Sequence, residues 1–152
     1  ASDGQHLDNH TRVDHRVGPA RSEQEYRGIA TGSGRAVWNG KAIVHPGADG
    51  TDARQANHNL LLSGRAEIDA KPELEIYADD VRCSHGATIG QLDANALYYL
   101  QTRGIARREA ERLLTRAFAH SVVARNPVPV LVDHVEALVD ERLAGMLGES
   151  AA

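Results

Sequence analysis

The chain has 152 residues, enough for one domain of the usual roughly 100 to 150 residues, or for two small ones. Hydrophobic residues at 41% and charged residues at 25% exclude a disordered chain, and an aromatic content of 4% leaves a core to be built from aliphatic side chains. A net charge of -4 has the wrong sign for a generic nucleic-acid binder or for basic attraction to an anionic membrane.

No apolar run approaches the roughly 20 residues that span a bilayer, and no charged-then-apolar leader opens the chain, so a soluble protein is expected. The opening Ala1-Ser2-Asp3-Gly4 reads like the middle of a domain, as a fragment would. Cys83 is the only cysteine, which rules out an intrachain disulfide and any all-cysteine zinc or iron-sulfur site held by one chain. A metal bound through Cys83 must borrow ligands.

Residues 1–92 hold nearly all the glycine, with short apolar runs punctuated by turn residues, and read as a β region. His6, His10 and His15 open it at a spacing that fits no standard metal motif and are read as structural. Arg35 to Val44 carries two short strand-like runs about Asn39-Gly40, which predicts a hairpin or a corner between successive parallel layers. Further runs are Leu60 to Leu62, Ala66 to Ile68, Leu74 to Tyr77 and Ala87 to Leu92, consistent with layers of about 20 to 25 residues. Asn57 and Asn59, flanking His58, are read as loop residues, with stacking at solenoid corners as the alternative.

The densest chemistry lies in Asp79 to Gly90, DDVRCSHGATIG. On a strand, Asp79, Val81, Cys83 and His85 share one face while Asp80, Arg82 and Ser84 share the other. A thiolate and an imidazole two residues apart can meet one metal ion, yet a closed site takes about four ligands, so this would be half of a site. A buried cysteine and a hydrogen-bonded histidine are the competing structural reading. A Cys-His nucleophile with Asp79 or Asp80 is disfavoured, because neighbours on a strand rarely reach triad geometry, and no phosphate-binding GxxxxGK[ST] loop exists.

After Asp93 the glycine content falls and helical spacing takes over, placing a boundary between residues 1–92 and 93–152. Asp93 can cap a helix through Ala96, Leu97 and Leu100, with Tyr99 as a further apolar position, that stops at Gly104. The second helix has a predicted buried stripe of Ala110, Leu113, Leu114, Ala117, Phe118, Ser121 and Val122, and ends at Asn126-Pro127-Val128-Pro129. The third, about Val130 to Leu147, presents Leu131, Val135, Leu138, Val139, Leu143 and Met146, with Gly148 beyond its end. Arg108, Arg112 and Arg116 form an i, i+4, i+8 ridge, either a solvated face or a surface for an acidic partner.

Lys71 to Asp93, KPELEIYADDVRCSHGATIGQLD, followed by ALYYLQTRGI from Ala96 to Ile105, closely resembles the C-terminal part of SufD-type proteins of the SUF iron-sulfur cluster assembly system. HLDNHTRVDH, Gly32 to Gly47 and ARQANHNLLLSGRAEID are similar to the same family, so the resemblance covers nearly the whole chain. It implies a mainly β fold with C-terminal α structure, namely the last layers of a right-handed parallel β-helix followed by a small helical domain. It implies a non-catalytic, cytoplasmic scaffold that pairs with a SufB-type paralogue through the β-helix and binds a SufC-type ATPase through the helical domain. A homodimer is an alternative pairing. No cofactor would be bound permanently, and iron or an iron-sulfur cluster would pass transiently through a site shared with the partner. His85 and Cys83, in the CSHG motif, are the residues that the resemblance makes candidate ligands, the paralogue supplying the rest. The SufB-type sister family lacks the CSHG pattern. Relatives often have Ser where this chain has Ala106, so the second helix is expected to lack a side-chain cap.

Two rival functions come from other classes. A β-helix carbohydrate lyase or hydrolase would use Asp79 and Asp80 as acid and base, but sugar sites usually present aromatic platforms and this chain is poor in aromatic residues. An autonomous metal-binding protein would use Cys83, His85 and a remote histidine.

Overall fold

The computed structural model describes residues 1–148; residues 149–152, the end of the expected helical domain, lie outside the described residues. The chain divides into two compact units, one over Ala1–Gly90 and one from Gln91 onward.

The first unit consists of six strands: β1 (His6–His15), β2 (Arg21–Ala30), β3 (Arg35–Val44), β4 (Asp52–Leu61), β5 (Glu67–Ile76) and β6 (Arg82–Gly90). Alternate strands go to alternate sheets, β1-β3-β5 and β2-β4-β6, and every pairing is parallel. The two sheets meet through their inner faces, where the Tyr26 ring of β2 lies 5.2 Å from the Trp38 ring of β3 and His15 Nε2 of β1 lies 2.9 Å from Ser22 Oγ of β2.

The register sets the period. Arg35 stands between His6 and Glu67, and Asp52 between Arg21 and Arg82, so one coil takes about 30 residues rather than the expected 20 to 25. Each coil contains two strands of nine or ten residues where the sequence shows only short apolar runs, because the rest of the inner row is small or polar. β4 illustrates this: Ala53, Gln55, Asn57 and Asn59 are buried and alternate with an exposed Arg54.

Two local expectations are corrected here. Asn39-Gly40 makes no hairpin; both residues lie inside β3, paired to His10 and Thr11 on one side and to Lys71 and Pro72 on the other. Gly40 is required for packing, since a Cβ there would stand 2.2 Å from the Trp38 indole that covers it. Asn57 and Asn59 are neither loop nor corner residues: they are 2% and 5% exposed in mid-strand. The Asn59 amide donates to Asn57 Oδ1 and to the Thr88 carbonyl of β6, which satisfies it inside the core.

Among the described residues the second unit has three helices, α1 (Ala94–Thr102), α2 (Arg107–Val123) and α3 (Pro129–Leu147). Asp93 caps α1 by accepting the Asn95 N–H at 2.8 Å, and Gly104, at φ 85°, makes the left-handed exit. Ala106 opens α2 with no side-chain cap, and Gly148 closes α3 in the left-handed region.

The buried face of α2 differs from the predicted stripe. Ala110, Thr115 and Ala119 are buried, Leu114, Phe118 and Val122 half-buried, while Leu113, Ala117 and Ser121 face outward. The Thr115 hydroxyl donates to the Glu111 carbonyl at 2.8 Å, so a polar residue that satisfies itself locally can occupy the interior and turn the helix about its axis. On α3, Leu143 is buried, Val135, Val139 and Met146 are half-buried, and Leu131 and Leu138 are exposed. No described helix is long and apolar enough to cross a membrane.

Candidate metal-binding edge

Among the described residues β6 is the edge strand of its sheet, paired to β4 alone. The pairing places Cys83 beside Ala53 and His85 beside Gln55. Paired residues on adjacent parallel strands share a face, so Cys83 and His85 continue the inner row that is buried on β4. Cys83 is half-buried with a free thiol, and His85 is exposed. The expected parity is therefore present for these two.

The carboxylates are placed elsewhere. β6 begins at Arg82, and Asp79 and Asp80 belong to the turn before it, Asp80 at φ 53°. The Asp79 N–H donates to Asp49 Oδ1 at 2.8 Å and its carbonyl accepts the Gly50 N–H at 3.4 Å, which ties this turn to the one below. Asp79 thus does not join Cys83 and His85 on a strand face. Among the described residues no three His, Cys, Asp or Glu side chains come together to hold a metal ion. Two soft-to-borderline donors on an open strand can add to ligands from elsewhere, a combination suited to iron or zinc.

The early histidines separate. His10 pairs with Asp8 at 2.9 Å on the exposed face, while His15 is buried against Ser22. On the helical unit every arginine of the ridge has an intrachain partner. Arg108 donates to the Leu147 and Gly148 carbonyls at 3.2 Å, Arg112 to Glu109 at 2.8 Å, and Arg116 forms two bonds to Asp140 at 2.7 and 2.8 Å. The Arg116 guanidinium, by hydrogen bond, holds the Asp140 carboxyl below the usual carboxylate range.

His120 went unassigned in the sequence. Its ring lies between Glu136, 3.2 Å from Nδ1, and Asp140, 2.8 Å from Nε2, and helps fasten α2 to α3. The i, i+4 spacing of Glu136 and Asp140 was the available signal. Gln24 and Gln55 were missed as well; their place in line with His85 depends on a register that no local pattern announces.

An edge strand with a thiol and an imidazole on one face of a parallel sheet presents two metal-capable donors, fewer than a closed site takes. Residues 1–118 match the family described as "SUF system FeS cluster assembly, SufBD core domain". The chain belongs to this SufBD family, on its SufD-type side. It is 41% identical over 138 residues to the iron-sulfur cluster assembly protein SufD of Escherichia coli, covering 91% of this chain and 33% of that protein. It is 34% identical over 151 residues to an iron-sulfur cluster assembly SufBD family protein of Mycobacterium leprae, covering 94% and 38%. With the SufD of Bacillus subtilis it shares 34% over 116 residues, covering 76% and 26%. The chain thus spans about a third of the length of the curated relatives it matches.

Proposed function

We propose that this chain is the C-terminal part of a non-catalytic SufD-type scaffold, the end of a right-handed parallel β-helix followed by a helical domain that binds a SufC-type ATPase. Alternate strands feeding two parallel sheets at a period of about 30 residues support the β-helix reading. A SufB-type paralogue pairs at the β6 edge, and iron or a nascent cluster, as cargo, meets His85 and Cys83 there. The observation that carries this is the geometry of β6: two donor side chains on one face of an edge strand, with too few neighbours to close a site.

The protein's part in the chemistry follows from its own groups. A neutral imidazole at position 85 offers a ring nitrogen lone pair, and the Cys83 thiol must lose its proton to bind metal. Cys83 is the weaker candidate, since a half-buried thiol also serves packing. On the helical domain, the side of Arg108, Arg112 and Arg116 is the surface proposed to face an acidic patch of the ATPase.

The test is anaerobic cluster reconstitution of the full-length protein co-purified with its paralogue and ATPase, comparing wild type with His85→Ala by iron content and visible absorbance. Loss of iron from an intact complex is expected. Unchanged loading would overturn the assignment of His85.

A further inference from the structure

Below His85 in the same inner row stand two glutamines, Gln55 on β4 and Gln24 on β2, aligned by the register Gln24↔Gln55↔His85. Neighbouring strands lie about 4.8 Å apart, so in-register side chains on one face are in reach of one another. The Gln55 amide Nε2 donates to Gln24 Oε1 at 3.4 Å. That bond uses the amide nitrogen and leaves Gln55 Oε1 to accept from elsewhere; β6, which carries His85, flanks β4 on the side away from β2. That oxygen is buried in a residue 4% exposed and has no hydrogen-bond partner among the described residues.

Buried acceptors are normally paired, because an unpaired one loses water and gains nothing. None of its neighbours in its own strand bonds it: Arg54 points outward to Asp52, and the bond between Asn57 and Asn59 uses the Asn57 oxygen. An imidazole N–H one strand above is a donor of the right kind at the right register position. Where one ring nitrogen is held in this way, the other is left as an acceptor with its lone pair directed outward, the usual arrangement behind a metal-binding histidine.

We infer that Gln55 is a positioning residue for His85: the Gln24–Gln55 amide ladder holds the imidazole through Gln55 Oε1, directly or through one water, and fixes the tautomer presented at the β6 edge. Its bearing on iron loading rests on the proposed role of His85; its effect on the ring does not.

The test uses the full-length protein with 15N-labelled histidine, at a pH well above the ordinary imidazole range, with the His85 signals identified by their loss in His85→Ala. In wild type the two ring nitrogens should report one dominant tautomer. Gln55→Met and Gln55→Leu, which keep bulk and remove the acceptor, should move both signals toward the averaged values of a free imidazole, while Gln55→Glu, which keeps an acceptor, should restore a dominant tautomer. Iron loading of the assembled complex should fall several-fold in the Met and Leu variants. Ring signals unchanged in folded Gln55→Met and Gln55→Leu would overturn the inference, and loading that falls with His85→Ala but not with Gln55→Met would overturn its bearing on iron. Loading indifferent to His85→Ala, with ring signals that respond to Gln55→Met, would sustain the positioning role and sink the ligand role.

Discussion

A methyl group at position 40 has nowhere to go. The Trp38 indole occupies the space above Gly40 and is itself held against Tyr26, so the ring can yield only by disturbing the inner row. Gly40→Ala should therefore destabilise the β unit by about 1 to 3 kcal/mol, the usual cost of overpacking. Gly64, whose Cβ would meet nothing within 4 Å, is the control, and Gly64→Ala should be close to neutral in the same urea titration. Equal costs at the two positions would contradict this packing. The residue scale is where sequence reading met its limit: Asn-Gly signals a turn in isolation, and only a bulky neighbour two positions back gives the glycine another purpose. Cys83 and His85 were legible because strand parity is local, and Asp79 was misplaced because the strand starts three residues after it.

Helices were the most legible elements, since capping and 3.6-residue periodicity are carried by the segment itself. Asp93, Gly104 and Gly148 mark helix ends as expected from their chemistry, and Pro129, expected in the stop of α2, is the first residue of α3. The face of α2 was less legible, because Thr115 takes a buried place by bonding its own helix while Leu113 stays 38% exposed. Ala106 leaves α2 uncapped although its backbone, at φ -60° and ψ 146°, already has cap geometry. Ala106→Ser should stabilise the helical unit by about 0.5 to 1 kcal/mol, read as a higher midpoint of helix melting by circular dichroism.

The α2–α3 contact carries a pH dependence of definite sign. The Asp140 carboxyl sits below its ordinary value in the folded unit, first through the Arg116 hydrogen bond, which burial partly opposes, and then to a lesser degree through the His120 hydrogen bond. The stabilisation is thus fully present above the unfolded carboxyl value of about 3.9 and is lost as pH falls through the lower folded value. Asp140→Asn should remove this part of the acid transition while lowering stability at neutral pH. A helical signal whose acid midpoint is the same in both proteins would rule out the contribution.

At the scale of the molecule, the coil period could not be read because the stacked columns are chemically unlike. Ser22, Ala53 and Cys83 form one column and Gln24, Gln55 and His85 another, so apart from Gln24 and Gln55 these columns repeat no residue where the structure does. Half of the proposed site was legible for the same reason that it is half: one chain supplies two donors. The proposed pairing at β6 makes Ile89, on the inner row and 49% exposed, a contact residue. Ile89→Lys should weaken association with the SufB-type paralogue by about tenfold or more, about 1.4 kcal/mol, with the far-ultraviolet spectrum unchanged. Undiminished co-purification would move the pairing surface away from this edge.

The parallel register has a further consequence for how such a chain can change length. One residue inserted between β4 and β6, if absorbed by the strand, would turn Cys83 and His85 to the outer face and bring Arg82 and Ser84 inward. A whole additional coil would instead raise the pair by one strand spacing with its orientation kept. Insertions and deletions in this unit are therefore quantised: chemistry at the edge survives steps of a full turn and is inverted by a step of one.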